Sequence, residues 1–180
     1  RFHSHSSWTR TSVATLLTSL MPRAHGLISS ADVLPRALTT LPDVLQEAGY
    51  QTFAFVANPQ VHPQFGFEQG FDRFHELYRP DTDGNGIDPE DLLASATDDR
   101  VLDKALAVLL EPRESPYFAY IHLLDPHAPY TPDAADAALF ADPAYTGIIR
   151  GSIRDFMRIP RLQKFPRDLA QFAALYDAEI

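Results

Sequence analysis

Two short runs, Tyr50-Gln-Thr-Phe-Ala-Phe-Val-Ala57 and Tyr117-Phe-Ala-Tyr-Ile-His-Leu-Leu124, constrain this chain most. Both are rich in aromatic and apolar residues and bounded by turn formers, so both read as buried strands. Helical spacing precedes each. In Ser12–Leu20, Val13, Leu16, Leu17 and Leu20 fall at i, i+3, i+4 and i+7, with Thr11 or Ser12 placed to cap and Pro22 and Gly26 to end the segment. Leu41–Ala48 follows Thr40 as cap, carries Pro42 in its first turn and meets Gly49 as its stop. Asp98–Leu110 and Leu169–Ile180 repeat the amphipathic pattern, while 58–97 and 131–167 read as loop-rich. Helices alternating with buried strands predict an α/β fold, a mostly parallel sheet flanked by helices. In such sheets functional groups gather beyond the carboxyl ends of strands. Asn58 and the turn Asp125-Pro-His-Ala-Pro-Tyr130 fall at those places.

Composition narrows the chemistry. A formal charge of −9 argues against a nucleic-acid surface, which shows a basic stripe. The absence of cysteine removes disulfides, thiolate nucleophiles and cysteine-ligated zinc. No run approaches the roughly 20 apolar residues of a membrane span. Arg1 stands where a methionine is usual, no signal peptide is visible, and the last helix stops at Ile180 without a breaker. These ends predict a chain cut on both sides, from a parent whose compartment (periplasmic, secreted or membrane-anchored) is left open.

The segment Ser7–Gly26 carries several hydroxyls at the start of a helix. Such a hydroxyl faces unpaired N–H groups and the positive end of the helix dipole. That setting favours an alkoxide and suits a bound sulfate or phosphate, although Thr9, Thr11 and Ser12 also have the residue types of ordinary caps.

This segment resembles the nucleophile stretch of sulfatases and other alkaline phosphatase superfamily enzymes, C/S/T-x-P-S-x-A-S-L-L-T-G…P…H-G. Leu16-Leu17-Thr18-Ser19 aligns with L-L-T-G, His25-Gly26 with the closing H-G, Thr9 with the nucleophile and Ser12 with the motif serine. Three further segments resemble the family in order. Leu45–Thr52 is similar to L-x-E-x-G-Y-x-T, Gly66–Phe74 to G-F-x-x-G-F-D-x-F, and Pro116–Tyr130 to P-F-F-x-Y-x-H-x-x-D-P-H-x-P-Y. The resemblance implies that residues 1–180 are part of a single sulfatase-like catalytic domain, truncated at both ends.

What it implies for the site is taken residue by residue. Sulfatases use a formylglycine made from cysteine or serine in C/S-x-P-x-R. Here Thr9 holds that position, with Thr11 for the proline and Val13 for the arginine, and threonine cannot become formylglycine. Relatives with a threonine nucleophile are phosphodiesterases, phosphotransferases and phosphomutases. By that likeness Thr9 is both nucleophile and metal ligand, and the cofactor is a divalent cation, Ca²⁺, Mg²⁺, Mn²⁺ or Zn²⁺. Its remaining ligands, an acidic pair and an Asp with His or Asn, belong to strands not matched in this chain. His127 is expected to serve the leaving group, and His122, Asn58 and Ser12 to bind substrate oxygens. Asp125 orients the turn and Tyr130 walls the pocket. Asn58 stands near the lysine of a sulfatase G-K-W-H segment that is absent here. The predicted substrate is a small-molecule, glycan or lipid ester of sulfate or phosphate, with a catalytically degenerate binding protein as the alternative.

Ser6 offers a competing register, four residues before Arg10, but needs three extra residues before Leu16. Asp81-Thr-Asp-Gly-Asn-Gly86 opens like a calcium loop, yet Leu92 stands where a bidentate glutamate is required, so it reads as a solvated loop. Arg150, Arg154, Arg158 and Arg161 read as a solvated face.

Overall fold

The computed structural model describes residues 3–78 and 98–180, which form two compact units: 3–78 with 98–123, and 124–180. The calcium-loop look-alike at 81–86 lies outside the described residues.

The first unit is built on three parallel strands in the order β2-β1-β3: β1 (Gln51–Val56), β2 (Arg73–Glu76) and β3 (Tyr117–His122). Parallel pairing sets Val56 opposite Glu76 on one side and His122 on the other. β1 is central, and every residue from Thr52 to Val56 is buried, as expected of a strand covered on both faces. Ala54 and Val56 face a core made with Val13, Ala14 and Leu17 of α1 (Thr9–Thr18), together with Leu27, Leu34, Val61 and Phe67. The residues between them, Phe53 and Phe55, point to the other face by the two-residue period of a strand. α4 (Asp98–Leu109) packs against β1 and β3 and buries Val101, Ala105 and Val108.

Local chemistry agrees with these elements. α3 (Leu41–Glu47) starts from a capping box: the Thr40 hydroxyl accepts the Asp43 N–H, and the Asp43 carboxylate accepts the Thr40 N–H at 2.8 Å. α1 differs from the expected Ser12 start. It begins at Thr9 with Trp8 as its N-cap and no side-chain cap, because Thr11 and Ser12 already lie within the helix. α2 (Pro22–His25) is a separate turn closed by Gly26. Strand β2 was not apparent within the loop-rich 58–97 stretch. It is four residues long and half-exposed, pairs among the described residues with β1 alone, and lacks the long apolar run that marks β1.

The second unit holds α5 (Ala134–Phe140), the short turns α6 (Ile153–Phe156) and α7 (Ile159–Leu162), and α8 (Pro166–Asp177). Its core gathers Ala128, Tyr130, Ile149, Leu162 and Phe172. Among the described residues, no helix is long and apolar enough to cross a membrane.

Candidate functional site

Thr9 is the first residue of α1, one turn before the core-facing Val13. Five residues of α1 carry hydroxyls. Ser12 donates to the Ser6 carbonyl at 2.7 Å, Thr15 to the Thr11 carbonyl at 3.1 Å, and Thr18 to the Ala14 carbonyl at 2.6 Å. The Thr9 and Thr11 hydroxyls make no hydrogen bond among the described residues, and Thr11 is buried while Thr9 is half-exposed. The first helical bond runs from the Ser12 N–H to the Trp8 carbonyl at 3.0 Å, so the N–H groups of Thr9, Arg10 and Thr11 stand without partners among the described residues. The rival Ser6 hydroxyl instead accepts the Trp8 N–H at 3.0 Å, closing a local turn.

Arg10 fixes this helix start. Its guanidinium donates to the Ser30 and Asp32 carbonyls and, at 2.9 Å, to Gln60 Oε1, and lies 3.3 Å over the Phe65 ring. Burial lowers its proton affinity, partly opposed by the Asp32 charge. The Gln60 N–H in turn donates to Asn58 Oδ1 at 2.9 Å. One side chain therefore ties the first turn of α1 to the turn that follows β1. Asn58 is buried, and its carbonyl oxygen shapes that turn.

His122 ends β3 at the same carboxyl edge of the sheet, where its carbonyl accepts the Ala57 N–H at 2.9 Å. Its Nδ1 lies 2.8 Å from the Tyr120 hydroxyl. The first unit thus brings α1's start, Asn58 and His122 towards one edge. A groove of about 390 Å³ also runs along α1, where Val13, Leu16 and Met21 line it together with His3, His5 and Ser12, and Thr9 is not part of it.

In the second unit, His127 is exposed, with Nδ1 2.6 Å from the Ala128 carbonyl and its ring stacked on Phe156 at 6.5 Å. The Nδ1–H donates, which makes Nε2 the atom that takes and gives a proton. Tyr130 packs against Phe172 and Tyr176 inside this unit's core. Of the four arginines, Arg150 bonds the Gly147 and Ile149 carbonyls and Arg158 lies 3.8 Å from Asp155, while Arg154 and Arg161 are exposed.

Sequence reasoning missed a group beyond β1 and β2. His62 Nε2 meets Glu76 Oε1 at 2.8 Å, and the Tyr78 hydroxyl donates to the same oxygen. The His62 Nδ1 accepts the Gln64 N–H, which leaves the ring proton on Nε2, directed at Glu76. Only the parallel register of β2, invisible in the sequence, places Glu76 there.

The sulfatase family model matches residues 1–176. The chain belongs to the sulfatase family. Solved structures agree in fold. BT4656, solved in complex with its substrate D-glucosamine-2-N,6-O-disulfate, superposes with a TM-score of 0.56 at 19% identity, covering 98% of this chain and 44% of that one. The C-terminal periplasmic domain of EcEptC from Escherichia coli, a complex with Zn, gives 0.51 at 17% identity over 95% of this chain and 42% of that one. BT1596, a 2-O GAG sulfatase, gives 0.51 at 17% identity over 94% of this chain and 43% of that one. This sulfatase-family chain spans less than half the length of these structures. No curated relative matches it.

In the register that sets Thr9 at the nucleophile position, Val13 is the residue aligned with the sulfatase arginine, and it points into the core at 6% exposure. The serine that replaces the glycine of L-L-T-G, Ser19, is left-handed at φ 57°. Sulfatase-family enzymes use a divalent metal. Among the described residues, no group of three or more His, Asp or Glu side chains is placed to hold one, so they do not by themselves make up that centre.

Proposed function

We propose that residues 1–180 form part of a single sulfatase-like catalytic domain, whose protein hydrolyses or transfers sulfuric or phosphoric ester groups with Thr9 as the nucleophile. The observation that carries this is the state of Thr9: a half-exposed hydroxyl beside three N–H groups, all without partners among the described residues, while the Ser6 hydroxyl is tied into a turn. The N–H groups and the helix dipole offset negative charge on the non-bridging oxygens of a sulfate or phosphate.

In this reading the Thr9 oxygen, its proton lost to solvent, bonds to sulfur or phosphorus as the bond to the ester oxygen breaks. The family likeness alone gives His127 the part of the acid: as an imidazolium it gives its Nε2 proton to the departing alcohol and is left neutral, with its remaining proton on Nδ1. Water, or another acceptor hydroxyl, then attacks the sulfo- or phospho-threonine and regenerates Thr9. Asn58 and His122, at the sheet's carboxyl edge, hold substrate oxygens, and Ser12 supports the site by fastening the Ser4–Ser6 segment. A divalent cation is part of the proposal, with Thr9 as one donor. Family usage and the zinc complex of the EcEptC neighbour support it. The sulfated glucosamine bound by BT4656 favours a sugar ester as substrate.

The test is the full-length protein against aryl sulfates, phosphate monoesters and phosphodiesters, with and without Thr9→Ala. Loss of turnover in the variant supports the assignment; unchanged turnover overturns it and moves the nucleophile to Ser6. The core placement of Val13 favours a second reading, a degenerate binding protein. Wild-type protein that binds a sulfated sugar without turning over any of these esters would select it.

A further inference from the structure

We propose that the outward face of α6 and α7, which carries Arg154, Arg158 and Arg161, is a docking surface for a glycan chain bearing sulfate esters. The choice of a sulfated glycan rests on the reading of a sugar ester as substrate.

Charge is unevenly placed along this chain. The formal total is −9, yet residues 147–167 hold six of the 15 Lys and Arg residues against one acid, Asp155. The backbone gathers three of the six on one side. Met157 and Arg158, between α6 and α7, are both right-handed helical, so residues 153–162 wind in one direction. Spacings of four and three set Arg154, Arg158 and Arg161 on one face, spread over about 10 Å along the axis. Asp155, Ile159 and Leu162 repeat the spacing one residue further on and face inward: Asp155 and Leu162 are buried, and Ile159 packs on the Tyr130–Phe172 core. Arg154 and Arg161 are exposed and have no partner among the described residues. Arg158 keeps 41% of its side chain in solvent, 3.8 Å from Asp155. That carboxylate is already engaged, accepting the Arg150 and Ser152 N–H groups. Three guanidinium groups therefore stand side by side, two of them with no use in the fold.

A guanidinium fork fits two oxygens of a sulfate group and keeps its charge throughout the physiological pH range. One exposed ion pair contributes little, so such a face needs a ligand that carries several sulfates in a row. The narrowness of the face selects a single chain. The protein as a whole holds 24 Asp and Glu residues against 15 Lys and Arg, and so repels a membrane or a nucleic-acid duplex that spreads beyond this face. α6 and α7 are four residues each, too short to lie in a lipid surface as an amphipathic helix.

The experiment is titration calorimetry of the full-length protein with a sulfated, glucosamine-containing hexasaccharide and with the same sugar desulfated. The wild type should bind the sulfated form alone, and more weakly as salt rises. Arg154→Gln/Arg161→Gln removes the two side chains without partners, so it should fold as the wild type does and bind about tenfold more weakly. Arg23→Gln/Lys104→Gln makes the same change in net charge at exposed positions of the first unit and should bind like the wild type. Equal weakening by both double variants overturns the proposal, and so does no weakening by the first. A wild type that ignores the sulfated sugar also overturns it, and binding to phosphatidylglycerol vesicles would then assign the face to lipid. Failure of the sugar-ester reading looks different: the hexasaccharide then binds through this face, but the wild type turns over no sulfated sugar.

Discussion

Thr52 and Asp72 hold each other by both backbone and side chain: Asp72 Oδ2 accepts the Thr52 N–H at 2.8 Å, and the Asp72 N–H donates to the Thr52 hydroxyl at 2.9 Å. The two residues come from separate stretches that resemble the family pattern, L-x-E-x-G-Y-x-T and G-F-x-x-G-F-D-x-F. The pair explains why those stretches occur together. Thr52 opens the buried part of β1, Asp72 immediately precedes β2, and their exchange sets the parallel register of the two strands. Gly70 completes the junction. It sits at φ 74°, and a Cβ there would come within 2.3 Å of the Asp43 nitrogen.

Asp72→Ala should therefore cost about 2 kcal/mol of stability, because the buried Thr52 N–H loses its acceptor. Urea unfolding checks this, and Asp72→Asn, which retains an acceptor oxygen, should lose less. Burial raises the Asp72 carboxyl's pKa, but the Thr52 N–H, the Gln46 amide and the Thr52 hydroxyl outweigh it and hold it below the usual value of 3.8. A depressed folded-state pKa gives stability that is complete above pH of about 4 and lost as pH falls through the folded value. The wild type should lose this increment in acid, and Asp72→Ala should not.

His25 predicts a second acid limb at higher pH. The ring is 1% exposed, its Nδ1 accepts the Leu27 N–H at 3.1 Å, and Nε2 lies 3.0 Å from the Thr15 hydroxyl. Nε2–H therefore donates to Thr15, whose hydroxyl donates onward to the Thr11 carbonyl. Burial lowers the His25 pKa, only partly opposed by its interaction with the Thr11 backbone. The neutral ring is the folded form. Its stability is complete above the ordinary pKa of 6.5 and declines as pH falls from there through the lowered folded value. Thermal midpoints measured between about pH 7.5 and 5 should drop in the wild type. A His25→Gln variant should show a flatter profile over the same range.

Ser19 is the one non-glycine residue with positive φ among the described residues, at the C-cap of α1 where the family pattern carries glycine. Its side chain makes no hydrogen bond among the described residues, so the left-handed backbone is held at a steric cost without local return. Ser19→Gly should stabilise the protein by about 1 kcal/mol. Ser19→Ala, which keeps the Cβ, should leave the denaturation midpoint nearly unchanged.

The strands and the long helices were legible because their signals are local. β1 and β3 announce themselves as aromatic runs, and Thr40 as a cap followed by proline. Thr9 stands out as a candidate nucleophile only through the likeness of its segment to a family pattern. As a lone residue it has the appearance of a cap, and the structure shows that Trp8, without any side-chain bond, holds the N-cap position instead. Arg10, Gln60, Tyr120 and the His62–Glu76 pair were not legible. Their roles depend on partners 2 to 50 positions away. Register and turn geometry decide such contacts, and no short pattern encodes them.

Arg10 gives the sharpest test of how α1 is held. Its guanidinium reaches two loop carbonyls and Gln60 at once and stacks on Phe65, which a planar fork does and an ammonium does not. Arg10→Lys keeps the charge beside Thr9 but loses the fork, so the link to the Asn58 turn loosens. If Thr9 is the nucleophile, a misplacement of this kind should lower kcat by roughly tenfold to a hundredfold. Gln60→Ala removes one of the contacts and should lower kcat in the same direction by less, with Asn58's turn still closed by the backbone N–H of residue 60. Steady-state kinetics of both variants in the full-length protein check the order. Equal kcat for wild type and Arg10→Lys would mean that the first turn of α1 is positioned by its apolar packing alone, through Val13, Ala14 and Leu17.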